Sequence, residues 1–370
     1  MKEGDSDFSY APEAVKLEFD SLLNQMSEAS PKLKKDAFLH FTPQFLDTVT
    51  GKLAIDDIMA IVDARQLEYK NTHIEQAESK VNVKSRYPIT IVHVGDIHFG
   101  SVYCNHKLWQ YHMDRIAETP GVYMMLYHNL VDNAIPAKYP ANMLANSLPP
   151  PEQFGLMQHW IKELDKRGKI LGAVTSDCHE GWSKAMTGYG PDELLFGYKG
   201  RKFPVLKNGG ILYLKVGDQT YGVGMWHKQG PFNSNFNVEH ALRQNRRLRH
   251  DGKTDLEVGA HYHNSGASSN YEGAMATLKA VNYVRVGTYK GVPTHIGEWH
   301  ITDRWAVDKF GTSGQPPGVN TTLFPDTHMI SDDMDFDTGI EKHLAIRTIY
   351  LAKEMGLYDK LMGMLEGGKR

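Results

Sequence analysis

The chain has 370 residues, 41% of them hydrophobic and 23% charged, with a formal net charge of −3 at pH 7. These are ordinary values for a soluble globular protein, with room for one large domain plus additions or for two domains, and they give no general pull toward nucleic acid or membrane. No apolar run approaches the roughly 20 residues of a membrane span, MKEGDSDFSY lacks a signal-peptide pattern, and Cys104 and Cys178 make no disulfide framework, so the expected location is cytoplasmic.

Residues 1–87 read as a mainly helical region. Val15, Leu17, Phe19, Leu22, Leu23 and Met26 form one imperfect stripe after Pro12. Ile55, Ile58, Met59, Ile61, Val62 and Leu67 form a second, with Asp56 and Asp57 in its first turn and a polar connector running on to Lys80. Packing against the rest of the protein is the plain reading of these stripes; a DNA-reading helix pair is the sharper one.

Residues 88–330 read as the second region. Ile89, Ile91, Val92 and Val94 are a short β-branched run suited to a buried strand, and it stops at Gly95-Asp96-Ile97-His98. A helix follows from Leu108 to Glu118, ended by Thr119-Pro120-Gly121. A strand from Val122 to Tyr127 then delivers His128-Asn129-Leu130-Val131-Asp132. Prolines around 136, 140 and 149–151 mark a loop. A helix from Glu152 to Gly168 and a strand from Ile170 to Val174 lead into Asp177-Cys178-His179-Glu180. This alternation argues for an α/β layered domain.

From Gly210 the pattern turns strand-rich. Ile211–Val216 and Tyr221–Trp226 flank Gly217-Asp218 as a hairpin, and His227 follows. The segment from Asn237 to His250 reads as a helix carrying Arg243, Arg246, Arg247 and Arg249. That cluster offers a contact to a phosphate backbone, although a solvated helix face explains it more simply. Asp255–Val258 is another short strand, ending in Gly259-Ala260-His261-Tyr262-His263. Val281–Val286 and Trp299–Ile301 supply more strand, and a glycine-rich loop spans residues 311–318. Residues 331–370 make a C-terminal helical segment broken near Gly356; Leu344, Ile346, Ile349, Leu351 and Met355 are expected to pack on the domain or on a second copy of the chain.

The chemistry gathers at the strand ends. Asp96 and His98 are two apart, so alternation along a strand puts them on one face, and a carboxylate beside an imidazole suits Zn, Mn or Fe. His261 and His263 repeat the spacing on a separate strand. A lone histidine such as His227 is, on its own, more often a satisfied polar residue. Pairing strand ends nominates Asp96, His98, His227, His261 and His263.

D-x-H at Asp96-Ile97-His98 and G-x-H-x-H from Gly259 to His263 resemble the calcineurin-like metallophosphoesterases, in particular the phage-encoded relatives of the DNA-repair exonucleases. The resemblance covers about residues 88–323. It implies a metallophosphoesterase-like β-sandwich flanked by helices, with helical additions at both ends, and one or two divalent ions (Mn or Zn, with Fe as a third candidate). It assigns Asp96, His98 and His263 to one metal, His227 and His261 to the other, and contact with the scissile phosphate to His179. Two motifs depart. The bridging Asp of the family is Asn129 here, and the Asn that binds the second metal is Cys178. Asp132 and Asp177 are the nearby carboxylates that can stand in. The implied activity is hydrolysis of a phosphate ester, DNA or a nucleotide among the candidates, by metal-activated water. The alternative is a pseudo-enzyme with an impaired second site, acting as a binding or inhibitory protein.

Overall fold

The protein is described from a computed structural model, for residues 59–64, 66, 78–135, 144–182, 184, 190–228, 237–273, 278–291 and 317–367. Two compact units divide the chain, residues 1–74 and 75–370. In the first, a helix covers 59–64, inside the second predicted helix. The stripe from Val15 to Met26, the Trp299–Ile301 strand and residues 311–316 lie outside the described residues.

The second unit is a sandwich of two six-stranded mixed sheets. The first sheet contains β2 (Ile89–Gly95), β3 (Val122–Tyr127), β4 (Ile170–Thr175), β5 (Val205–Lys207), β11 (Asn320–Leu323) and β12 (Ile330–Asp333), in the order β12-β11-β2-β3-β4-β5. The second contains β1 (Glu78–Val83), β6 (Gly210–Val216), β7 (Gln219–Trp226), β8 (Leu256–Gly259), β9 (Gly266–Glu272) and β10 (Lys279–Arg285), in the order β1-β6-β7-β8-β10-β9. Ile89, Ile91, Met125 and Val174 from one sheet meet Leu212, Val223, Met225 and Val258 from the other in the central core. The opposite parity of the first sheet, Val92, Val94, Met124 and Leu126, packs with residues of α1 (His106–Glu118) and α2 (Pro150–Lys166), including Trp109, Met113, Phe154 and Ile161. Burial on both faces is why these strands read as continuous apolar runs. This is the layered α/β sandwich the motif resemblance implies.

Direction decides where function can sit. β2, β3 and β4 are mutually parallel, and so are β7, β8 and β10. Each group therefore releases its carboxyl-end loops together.

The elements depart from expectation in three places. The end of the connector predicted to run to Lys80 is instead the start of β1, paired in parallel with β6 from Glu78↔Ile211 to Val83↔Val216, so the sandwich begins before residue 88. ESKVNV alternates exposed and more buried positions, as an edge strand does, and its lysine and glutamate resemble a polar helix face when read alone. The helix α3 (Glu239–Arg249) was expected to carry a phosphate contact or a solvated arginine face, and Arg247 and Arg249 are exposed as the second reading has it. Arg246 is instead buried, bonded to Glu272 Oε2 at 2.6 Å and to the Thr254 and Gly252 carbonyls at 3.1 and 2.6 Å, while Arg243 Nε meets Glu272 Oε1 at 2.6 Å. The C-terminal helix α4 (Phe336–Glu354), followed by α5 (Tyr358–Gly367), buries Phe336, Ile340, His343 and Ala352 and leaves Leu344, Leu351 and Met355 exposed, so of the two expected packings the one on the domain does not hold for these three. The turn at Gly356 takes φ 68, which a glycine adopts without steric cost.

Candidate metal centre

Every candidate residue lies just past a strand end on one edge of the sandwich. Asp96 and His98 follow β2, Asn129 and Asp132 follow β3, and Cys178 and His179 follow β4. From the other sheet, His227 follows β7, and His261 and His263 follow β8.

The reason the pairs converge differs from strand alternation. β2 ends at Gly95, and both Asp96 and His98 have left-handed backbones, φ 47 and 52. His128, Asn129, His261 and His263 do the same at φ 56, 49, 82 and 56. Side chains with a Cβ rarely enter this region, and clusters of such residues mark sites where function fixes the backbone. Gly95 lets β2 approach its neighbour: a Cβ there would lie 2.9 Å from Tyr127 Cβ.

Three donors make the first group. Asp96, His98 and His263 are all buried, and their ligand atoms lie within 4.8 Å of one another. His98 Nε2 is 3.1 Å from His263 Nε2; Asp96 Oδ1 is 3.9 Å from the first and 3.8 Å from the second. Burial holds the His98 ring neutral, its pKa lowered to about 3, with the Lys290 and His179 charges adding to the effect. His263 is also pushed well down, by burial first and then by His98 and Lys290. The His98 Nδ1–H donates to Asp132 Oδ1 at 3.0 Å, which leaves its Nε2 lone pair facing the group.

A second group comprises Cys178, His227 and His261, again with donors within 4.8 Å. His261 Nδ1 is 3.3 Å from His227 Nε2 and 3.8 Å from Cys178 Sγ. The His227 Nδ1–H donates to the Tyr127 carbonyl at 2.9 Å, so its Nε2 also presents a lone pair. Its pKa is held well below the ordinary value by burial, then by the neighbouring His128 and His261. Asp96 joins the groups: its Oδ2 accepts from the His261 backbone N–H at 2.6 Å.

These donor sets fit divalent ions. Neutral imidazoles whose outer nitrogen is already committed to an oxygen acceptor, as in His98 and His227, are the form that binds Zn²⁺ or Mn²⁺. The carboxylate suits a harder ion and the thiol, as thiolate, a softer one.

The departing positions fall in the same pocket. Asn129 Nδ2 donates to Asp96 Oδ1 at 3.0 Å, so a neutral amide occupies the position implied for the bridging carboxylate. Neither nearby acid replaces it. Asp177 is exposed. Asp132 is buried between His98 and Lys290, whose Nζ lies 3.2 Å from the same Oδ1. Burial alone would raise the Asp132 pKa, but Lys290 and the two histidines hold it below the usual carboxylate range. His179 opens a short 3₁₀ turn, its Nδ1–H donating to the Asp132 carbonyl at 2.6 Å. Its ring stacks on Trp182 at 4.1 Å and meets the edge of His98 at 4.5 Å.

Sequence reading missed Lys290 and Thr288. They sit after β10, more than two dozen positions beyond the last motif histidine, and no local pattern marks them. The signal that could have found them is the parallel run of β10 beside β8, which brings its carboxyl end to the same edge.

No family model matches the chain, and no curated protein matches it. Among solved structures it is similar to Vacuolar Protein Sorting 29 from Cryptosporidium parvum, with TM-score 0.31 and 13% identity, covering 67% of this chain and 97% of that one. It is also similar to wild-type Vps29 complexed with Zn²⁺ from Entamoeba histolytica, with TM-score 0.31 and 11% identity, covering 66% and 98%. Among the described residues, no helix is long and apolar enough to cross a membrane.

Proposed function

We propose that the chain is a metal-dependent phosphoesterase acting on phosphate diesters of the nucleotide or nucleic-acid class. The observation that carries this reading is the meeting of two three-donor groups, Asp96/His98/His263 and Cys178/His227/His261, at the Asp96–His261 hydrogen bond. Divalent ions held there would lower the pKa of a bound water and neutralise phosphoryl oxygens.

The chain's own residues do the rest. Asp96 supplies the carboxylate shared by both groups, one oxygen beside His98 and His263, the other on the backbone of His261. Burial of Asp96, His98 and His263 keeps bulk water from competing at the first group. His179 Nδ1–H donates to the Asp132 carbonyl; as an imidazolium, with Nε2 also protonated, the ring would donate to a phosphoryl oxygen or give a proton to the departing alkoxide. Trp182 holds that ring by stacking.

A second reading, a binding protein with an impaired second centre, is favoured by Asn129. A neutral amide offsets none of the repulsion between two cations, whereas a carboxylate does. The deciding experiment combines elemental analysis of protein purified without chelator with Mn-supported hydrolysis of bis(p-nitrophenyl) phosphate and of single- and double-stranded DNA. About two equivalents of metal and a turnover abolished in His179→Ala support the phosphoesterase. Metal-free protein without turnover supports the binding protein.

A further inference from the structure

The carboxyl-end loop of β10 touches Asp96 directly and reaches His98 through Asp132. The Thr288 hydroxyl donates to the Asp96 carbonyl at 2.6 Å and the Tyr289 N–H to the same oxygen at 3.2 Å. Together they hold the backbone of a residue whose left-handed conformation aims its carboxylate into the site. Thr288 Oγ1 also accepts the Lys290 N–H at 3.0 Å, which fixes the turn. From that turn the Lys290 side chain, buried with 6% of its surface exposed, reaches Asp132 Oδ1 at 3.2 Å. The same oxygen accepts the His98 Nδ1–H at 3.0 Å.

Physical necessity links the three groups. An ionised carboxylate buried beside an imidazole needs a compensating charge, and Lys290 is the cation placed to provide it. Without it, Asp132 would carry an uncompensated charge against His98. It would then turn toward water and leave Nδ1, which frees the imidazole to rotate or to switch tautomer, so its Nε2 lone pair would no longer face Asp96 and His263.

We propose that the Thr288–Lys290 turn is the positioning element of the first metal centre, with Lys290 acting through Asp132 to orient His98. Lys290 touches neither ion nor substrate in this scheme; it is a positioning residue. The proposal rests on the reading of Asp96, His98 and His263 as a metal centre.

The test is titration of the full-length, metal-stripped chain with Mn²⁺ and, separately, Co²⁺. Affinity is read by calorimetry, and for Co²⁺ also by the thiolate charge-transfer band that reports the Cys178 group alone. Lys290→Met should weaken binding at the first centre by about 10–100-fold while the thiolate band titrates as in the unmodified chain. The double variant Asp132→Asn, Lys290→Met removes both charges and keeps an amide oxygen to accept the His98 Nδ1–H; it should recover most of the lost affinity. A purely structural lysine would leave the double variant at least as weak as the single one, and that result overturns the proposal, as does an unchanged first-centre affinity in Lys290→Met. If Lys290→Met fails to fold, the double variant still decides: near-native first-centre affinity supports the proposal and a lost centre overturns it. His98→Ala separates the two levels. If the unmodified chain binds one ion fewer when His98 is removed, the centre exists and the Lys290 result is judged on its own. If His98→Ala changes nothing, the reading of the centre fails and the proposal falls with it.

Discussion

The two donor groups draw on the two sheets in opposite proportions. Asp96 and His98 come from the first sheet and His263 from the second; Cys178 comes from the first and His227 and His261 from the second. The former is an oxygen and two nitrogens, fully buried and braced by Asp132, Lys290 and Thr288. The latter is a sulfur and two nitrogens, with Cys178 and His261 half-buried. The difference teaches that Cys178 is not simply a lost ligand. Read as a missing Asn, it predicts an empty second site. Placed 3.8 Å from His261 Nδ1, its thiol is a candidate third donor that would make the site softer.

The largest test of this contrast concerns the ring that lies against His98 of the first group. His179→Ala should lower the rate of phosphodiester hydrolysis by about 10²–10⁴-fold while metal content stays constant, the loss expected of a positioned proton donor. Cys178→Ser comes next. It should remove the ion from the soft group and leave the buried one, so that zinc falls from about two equivalents per chain to about one in elemental analysis, while Mn²⁺ binding at the first group is unchanged. Asn129→Asp should tighten the second ion by about 10–100-fold, because it replaces the amide against Asp96 with a charged oxygen; competition with a metallochromic indicator reads this directly. Unchanged zinc content in Cys178→Ser would erase the distinction between the two groups.

A further effect is on stability and sets buried histidines outside the centre against those within it. His93 bonds Tyr127 and Thr321 under the first group, and His112 bonds Tyr289. Burial lowers both pKa values to about 3 from an ordinary 6.5. The unfolded chain therefore takes up more protons across that window, and stability falls as pH drops from 6.5 toward 3. Each ring contributes up to about 1.4 kcal/mol per pH unit. Urea unfolding of His112→Gln should show a shallower decline below pH 6.5 than the unmodified chain.

Local spacing carried much of this in the sequence. D-x-H and H-x-H were legible because each pair follows one apolar run and needs only two residues to declare itself. Their convergence was legible in outcome but not in cause, since left-handed backbones past the strand, not alternation within it, aim the side chains. His227 needed the family resemblance. Lys290 was invisible because its partner Asp132 lies 158 positions away. The edge strand β9, GASSNYE, and the Asn-Thr-Thr-Leu strand β11 were missed because hydroxyls and amides disguise them. In β11 those groups are buried and paired, as Thr322 is with Thr90 at 2.6 Å.

The six left-handed residues around the pocket also limit how such a site can be inherited or borrowed. Each is Asp, Asn or His, side chains that enter this conformation more readily than most, and each still costs on the order of 1 kcal/mol. Glycine would relieve that cost at every one of them and would delete a candidate donor or neighbour each time. A screen that rewards heat resistance alone would therefore erode this pocket one glycine at a time. Transplanting the candidate side chains onto another sandwich would likewise fail unless the bent loops travelled with them.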